Sequence, residues 1–320
     1  MNSIITVKDA AVNTENNLLD ISIVDRFLKF AAVSENSVVT YKKGLKQLAK
    51  YFSDNGITTP ARADLENWRD SLIDAGKSAS TIQLYLSTTK LFFRWLAQEG
   101  IFPNIADNLK SRVKVNHDNH KKDALTEKQA QKLLLSVKGN DLKSLRDRAI
   151  IALLLTAGLR SVEICRANIS DIRQLQGGIY LFVQGKGRSD KAEAVRIAPQ
   201  VYKLIKEYLK ARKEKNFAAP LFVSTSRRNK NARLETQSIS RMVKENLREI
   251  GLDFPTITCH SLRHTAATIM LIAGEKLENV QMILRHKNIG TTMIYNNSIN
   301  RYRNNGEILA ANIIFRKLNI

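Results

Sequence analysis

The sequence predicts a mainly α protein: an N-terminal helical bundle, then a mixed but mostly helical second domain with a small β-sheet. Three observations lead there. Apolar residues recur at helical spacing through residues 21–100, and no strand-like alternation interrupts them. The polar, basic stretch KSRVKVNHDNHKKD at 110–123 breaks that periodicity. Only residues 179–199 read as β-structure, with IYLFVQ and AEAVRIAP flanking the basic connection GKGRSDK. A chain of 320 residues also exceeds the roughly 250–300 at which a single core stops growing.

Taken in order, residues 1–17 form a polar N-terminal tail. The helical domain spans 18–109. Its first helix, 21–33, lines up Ile21, Val24, Phe27 and Leu28. The second, 37–56, lines up Val38, Tyr41, Leu45, Leu48 and Phe52 and stops at Gly56. A short helix covers 63–76, and the longest covers 78–100, with Ser78 or Ser80 as its cap. Residues 110–123 are a linker. The second domain, 124–320, opens with Thr126 and Gln129 at capping-box spacing. Helices follow at 126–137, 143–157, a start at LRSVEIC, 200–213, 236–250, 260–273, 276–285 and 306–318.

The formal charge of +21 points to a polyanionic partner. Residues 1–110 hold 13 Lys and Arg against 12 Asp and Glu, leaving 38 against 18 for the rest. The polyanion therefore belongs mostly to the second domain. Cys165 and Cys259 lack metal or redox spacing and read as buried, reduced thiols. No export signal is visible, and the apolar run Ala149–Leu159 falls short of the ~20 residues that span a bilayer. These features suggest a soluble cytoplasmic protein.

Several motifs invite chemistry and fail. His260 and His264 have the i, i+4 spacing of a zinc helix, but Ser261 replaces the glutamate and Arg263 adds a fixed positive charge. His117 and His120 give HxxH in a polar linker without further ligands. GKGRS is not a phosphate loop, because Gly187 follows Lys186 and a strand follows in turn. What remains is a set of groups in structured contexts: Arg160, Lys186, His260, Arg263, His286 and Tyr295. Paired arginines grip nonbridging phosphate oxygens. A lysine or histidine can protonate a leaving oxygen, and a tyrosine can attack phosphorus. The set suits metal-free phosphoryl transfer.

GLRSVEI, GKGRSDKAEAVRIAP, HSLRHTAAT and LRHKNIGTTMIY occur in the order found in the tyrosine recombinases, or phage-type integrases, which the chain resembles over residues 124–298. Residues 20–100 are similar to that family's core-binding, SAM-like domain. The resemblance implies that Arg160 and Arg263 hold the scissile phosphate and that Lys186 protonates the departing 5′ oxygen. It gives His260 a proton-handling role, His286 a hydrogen bond to the phosphate, and Tyr295 the role of nucleophile. Glu163 would support Arg160. His264 has no role in the motif and reads as a helix-face hydrogen bond, and the spacing of Tyr302 does not fit. Arg285 stands where the family more often has glycine, and it adds charge near the site.

The resemblance further implies a C-shaped clamp on double-stranded DNA and a 3′-phosphotyrosyl intermediate. It implies neither ATP nor a metal or other cofactor. Four protomers would assemble on inverted-repeat core sites, each passing the apolar helix 306–318 to a neighbour. Such a protein would work in the cytoplasm, on the nucleoid when bound to DNA. A catalytically silent regulator of the same fold would lack Arg160, Arg263 or Tyr295, and none is missing. A type IB topoisomerase remains a second alternative. About 20 residues precede the bundle, as in simple Xer-type or transposon resolvases. The choice among integrase, transposon resolvase and dimer resolvase stays open.

Overall fold

A computed structural model describes residues 19–114, 123–185, 190–286, 288–295 and 306–316. The tail, His117, His120, Lys186 and Tyr302 lie outside the described residues. The chain divides into two compact units, Met1–Asn116 and His117–Ile320.

The first unit is built from α1 (Ile21–Phe30), α2 (Glu35–Asp54), α3 (Arg62–Asp74) and α4 (Ala79–Gln98). Ser78 is the cap of α4, accepting from the Thr81 amide at 3.2 Å. The helix ends before Gly100, whose φ of +67° suits the left-handed position after a helix terminus. Of the stripes read from the spacing, Phe27, Leu28, Leu45, Leu48 and Phe52 are buried together and Val24, Val38 and Tyr41 pack against them, but Ile21, in the first turn of α1, is 77% exposed. Leu65, Trp68, Phe92, Phe93 and Leu96 complete that core. Phe92 meets Phe27 edge-on at 5.2 Å between ring centroids, a favoured aromatic geometry.

The second unit contains α5 (Glu127–Ser136), α6 (Leu142–Thr156) and α7 (Ser161–Arg166). The strands β1 (Ile172–Leu175), β2 (Gly178–Val183) and β3 (Glu193–Ile197) follow. Then come α8 (Pro199–Arg212), α9 (Thr236–Glu249), α10 (Cys259–Ile272), α11 (Leu277–Leu284) and a terminal α12 (Gly306–Phe315). Thr126 and Gln129 form the reciprocal capping box at the head of α5. From Ala149 to Leu155 every residue of α6 is buried, so this helix is the centre of the core and packs against α8 and α10.

The sheet is antiparallel in the order β1-β2-β3, with Leu181 paired to Ile172 on one side and Val195 on the other. The first strand, IRQL, is the one that periodicity missed. It has four residues, and only Ile172 is partly buried, so no alternation marks it. Both cysteines are buried and unpaired, as expected. Among the described residues, no helix is long and apolar enough to cross a membrane.

Two hydroxyls fix the head of α10. Ser261, whose identity removed the zinc reading, is a capping residue: its hydroxyl accepts from the Thr258 amide at 2.9 Å. One turn on, the Thr265 hydroxyl donates to the Ser261 carbonyl and accepts from the Leu125 amide, both at 2.8 Å.

Candidate active site

Four chain segments of the second unit converge: the turn from α6 to α7, the first turns of α10, the end of α11, and helical residues 290–295. The turn comes first. Gly158 has a φ of +57°, and a Cβ there would lie 2.5 Å from Leu284 Cδ2. Only glycine admits both the backbone and the close approach of α11. Two residues later Arg160 caps α7, and its amide donates to Glu163 Oε2 at 2.8 Å. The Arg160 guanidinium donates to Glu163 Oε1 at 2.7 Å and stays partly exposed.

From α10, Arg263 reaches back into the core and is only 1% exposed. Its two terminal nitrogens donate to the carbonyls of Gly158 and Leu284, joining the turn to the end of α11. Burial, then the charges of Arg160 and Arg285, lower its pKa to about 9, so it stays cationic at neutral pH. His260 is exposed and lines an open groove with Arg160, Ser161, Lys244 and Thr258.

His286 is half-buried, with Nδ1 2.9 Å from Thr292 Oγ1 and its ring stacked at 6.2 Å from that of Tyr295. Burial, followed by the charges of Arg263, Arg160, His260 and Arg285, brings its pKa down to about 3. It is therefore a neutral hydrogen-bonding group, not an acid, under ordinary conditions. Tyr295 is 3% exposed among Ala267, Leu271, Val280 and Leu284. Burial raises its pKa to about 12, even though Arg263 and Arg160 pull the other way.

Five of the expected groups, Arg160, His260, Arg263, His286 and Tyr295, thus gather at one place with Glu163. Lys186 lies outside the described residues, between β2 and β3. Two further residues hold larger places in the site than their motifs suggest. His264 is not a bystander on a helix face: it is 3% exposed, and its Nδ1 lies 2.6 Å from the Tyr295 hydroxyl. The signal lies in the i, i+4 spacing, because a residue one turn past His260 shares its face at greater depth.

Arg285 does more than add charge. It caps α11 in the left-handed conformation, φ +56°, and its guanidinium donates to Glu163 Oε2 at 2.7 Å. Its Nε lies 3.6 Å from Glu193 of β3, whose carboxylate packs against Gly185. Glu163 therefore serves two arginines. Burial pushes its pKa up, but the Arg285 charge and the bonds from Arg160 outweigh that, leaving it lowered.

Such a carboxylate stabilises the fold above the ordinary Glu range and loses that contribution as pH falls through its lowered value. Arg285→Gly relieves about 1 kcal/mol of backbone strain. It also removes a buried charged hydrogen bond worth about 1.5–3 kcal/mol, which is the larger effect. The expected net loss is about 1 kcal/mol, or about 2–4 °C in melting temperature. Acid unfolding, followed by circular dichroism, should also begin at higher pH. An unchanged acid midpoint would separate Glu163 from Arg285 energetically.

Comparison with known proteins gives the same picture. Residues 123–301 match the phage integrase family, and residues 20–100 match the phage integrase N-terminal SAM-like domain. Tyrosine recombinase XerD of Oceanobacillus iheyensis is 31% identical, covering 87% of this chain and 94% of that protein. Tyrosine recombinase XerA of Pyrococcus horikoshii is 30% identical, covering 87% and 90%. Among solved structures, XerH recombinase bound to palindromic difH substrate aligns with a TM-score of 0.70 at 22% identity, over 91% of this chain and 83% of that one. A lambda integrase tetramer on a Holliday junction aligns with a TM-score of 0.65 at 19% identity, over 86% and 76%. The fold is that of the DNA-rejoining integrases. The chain belongs to the phage integrase family and is a tyrosine site-specific recombinase.

Proposed function

We propose that Tyr295 is the nucleophile that cuts one DNA strand and keeps its 3′ end as a phosphotyrosyl ester. The observation that carries this reading is the burial of the Tyr295 ring against His286, within the field of Arg160 and Arg263. Arg160 is partly exposed and can grip a phosphate directly. Arg263 supplies fixed positive charge from below while holding the two carbonyls. His260, on the groove, handles protons and contacts phosphate. Neutral His286 donates one hydrogen bond to a nonbridging oxygen, through Nε2, when Thr292 donates to Nδ1. Lys186 protonates the leaving 5′ oxygen. Glu163 holds Arg160. The ester conserves the energy of the broken bond, so a 5′ hydroxyl from a second duplex reverses the step without ATP.

The substrate is double-stranded DNA carrying inverted-repeat core sites; the helical domain 18–109 and the basic domain 124–320 each contribute to holding it, with residues 110–123 linking them. Four protomers act together on two sites. The apolar face of α12 supports an exchange between protomers: Ile308, Leu309, Ile313, Ile314 and Phe315 are all exposed, and no residue of the helix is buried. An apolar strip of that kind is covered in a working assembly. We place the protein in the cytoplasm, on the nucleoid when bound.

A nicked suicide site in EDTA tests the chemistry. Wild-type protein should form a covalent adduct, and proteolysis should leave the nucleotide on the peptide containing Tyr295. A nucleotide on another peptide, or an adduct requiring metal, would overturn the assignment.

A further inference from the structure

We infer that His264 takes the proton from Tyr295 as the tyrosine attacks, accepting it at Nδ1. This rests on Tyr295 as the nucleophile, and it assigns a catalytic role to a residue that lies within the HSLRHTAAT motif but has no role assigned there. The Tyr295 oxygen and His264 Nδ1 are 2.6 Å apart, at the short end of hydrogen-bond distance. The rings sit 5.1 Å apart at 52°, so the contact is directed from the hydroxyl, not a face-to-face packing. Both side chains are 3% exposed. Bulk water is thereby kept from acting as the base, and a general base must be within hydrogen-bond reach of the proton it removes.

The titratable and charged groups around this pair come from several elements. His260 stacks edge-on against His264 at 4.6 Å from one turn earlier on α10. Arg263 is its neighbour on the same helix, and Arg160 approaches from the head of α7. His286 lies over Tyr295, with Arg285 and Glu163 behind. From α9, Lys244 lines the groove beside His260. The buried residues of α5 and α11 are apolar, while the buried pair Arg146 and Asp147 on α6 is engaged elsewhere, with Val223.

Arg263 and Arg160 set positive charge around the Tyr295 oxygen. A DNA phosphate brings the missing anion. The phenol, raised to about 12 by burial, is protonated at neutral pH and cannot attack without losing its proton. The step then balances, with His264 moving the tyrosine proton and His260 left to contact the phosphate. The Tyr295 O–H bond breaks, with its proton passing to Nδ1, and the tyrosine oxygen bonds to phosphorus. The bond from phosphorus to the 5′ oxygen breaks, and that oxygen takes a proton from the acid assigned to Lys186. On rejoining, His264 returns the proton to the phenol. The Nε2–H tautomer of His264 is the one that leaves Nδ1 bare to accept.

The test uses His264→Gln and His264→Asn in the full chain, with the suicide site as substrate. Melting curves and non-covalent DNA binding select the variant that folds. Its single-turnover cleavage at neutral pH should be about 10²-fold slower than wild type, the usual size of a general-base contribution. The wild-type rate should level off with rising pH. The variant's should keep climbing, by about tenfold per unit, because without a base cleavage follows the fraction of Tyr295 already ionised, which rises tenfold per unit below about 12. A fluorinated, more acidic tyrosine at position 295 should recover about tenfold of the variant's loss. Wild-type cleavage rates in the variant would overturn the inference, as would an equal deficit at every pH with no rescue. If the wild-type adduct maps away from Tyr295, the nucleophile assignment itself fails, and the two failures are thereby told apart.

Discussion

Tyr295→Phe is expected to bind its DNA site and leave no covalent adduct, however long the incubation. The phenylalanine keeps the ring that fills the pocket formed by Ala267, Leu271, Val280 and Leu284. It loses only the oxygen. The folding cost is that of one buried hydrogen bond to His264, about 1 kcal/mol. For a unit of this size that is about 2–4 °C in melting temperature, too little to unfold it. DNA affinity should survive, because the basic excess of residues 111–320 does not involve position 295. Loss of the adduct with binding retained would therefore report chemistry alone. Adduct formation by the Phe variant would move the nucleophile elsewhere, and Tyr302→Phe in parallel would show whether it is there.

Arg263→Ala should show the second largest effect, and for a different reason. Arg263 is one of the largest fully buried side chains, and it is charged. Its guanidinium satisfies the carbonyls of Gly158 and Leu284. Charged hydrogen bonds contribute about 1.5–3 kcal/mol each, so truncation should cost about 3–5 kcal/mol and open a cavity. Melting temperature should fall by about 6–20 °C. Cleavage should vanish, because the turn carrying Arg160 and the end of α11 carrying His286 lose their common anchor. Arg263→Lys, which retains the charge but cannot reach both carbonyls in a fork, should recover part of the stability and little of the cleavage. Full cleavage by the lysine variant would reduce Arg263 to a generic cation.

Most of the helical framework was legible because its signals are local. Amphipathic stripes named Phe27, Leu45 and Leu48 as core, and the Thr126–Gln129 box closed as its spacing required. Motif order brought Arg160, Arg263, His286 and Tyr295 to one site from segments more than a hundred residues apart. What escaped depends on depth and reach. Strand β1 is too short and too exposed to show alternation. His264 was legible as a neighbour of His260, yet only the fold shows that position 295 comes within 2.6 Å of it. Arg285 was legible as a charge, but its left-handed backbone aims the side chain at Glu163, and spacing carries no such direction.

The Thr265 hydroxyl gives the second unit an unusual mechanical entry point. It ties the Leu125 amide, just past the interdomain segment, to the helix that bears His260, Arg263 and His264. A second tie lies beside it: the Asp123 amide donates to the Thr256 carbonyl at 3.3 Å, so the chain ahead of Leu125 meets the start of that helix at two points. Thr265→Val would remove one of these two ties while keeping the outline of the side chain, and would loosen the hold of the connecting chain on the helix without releasing it.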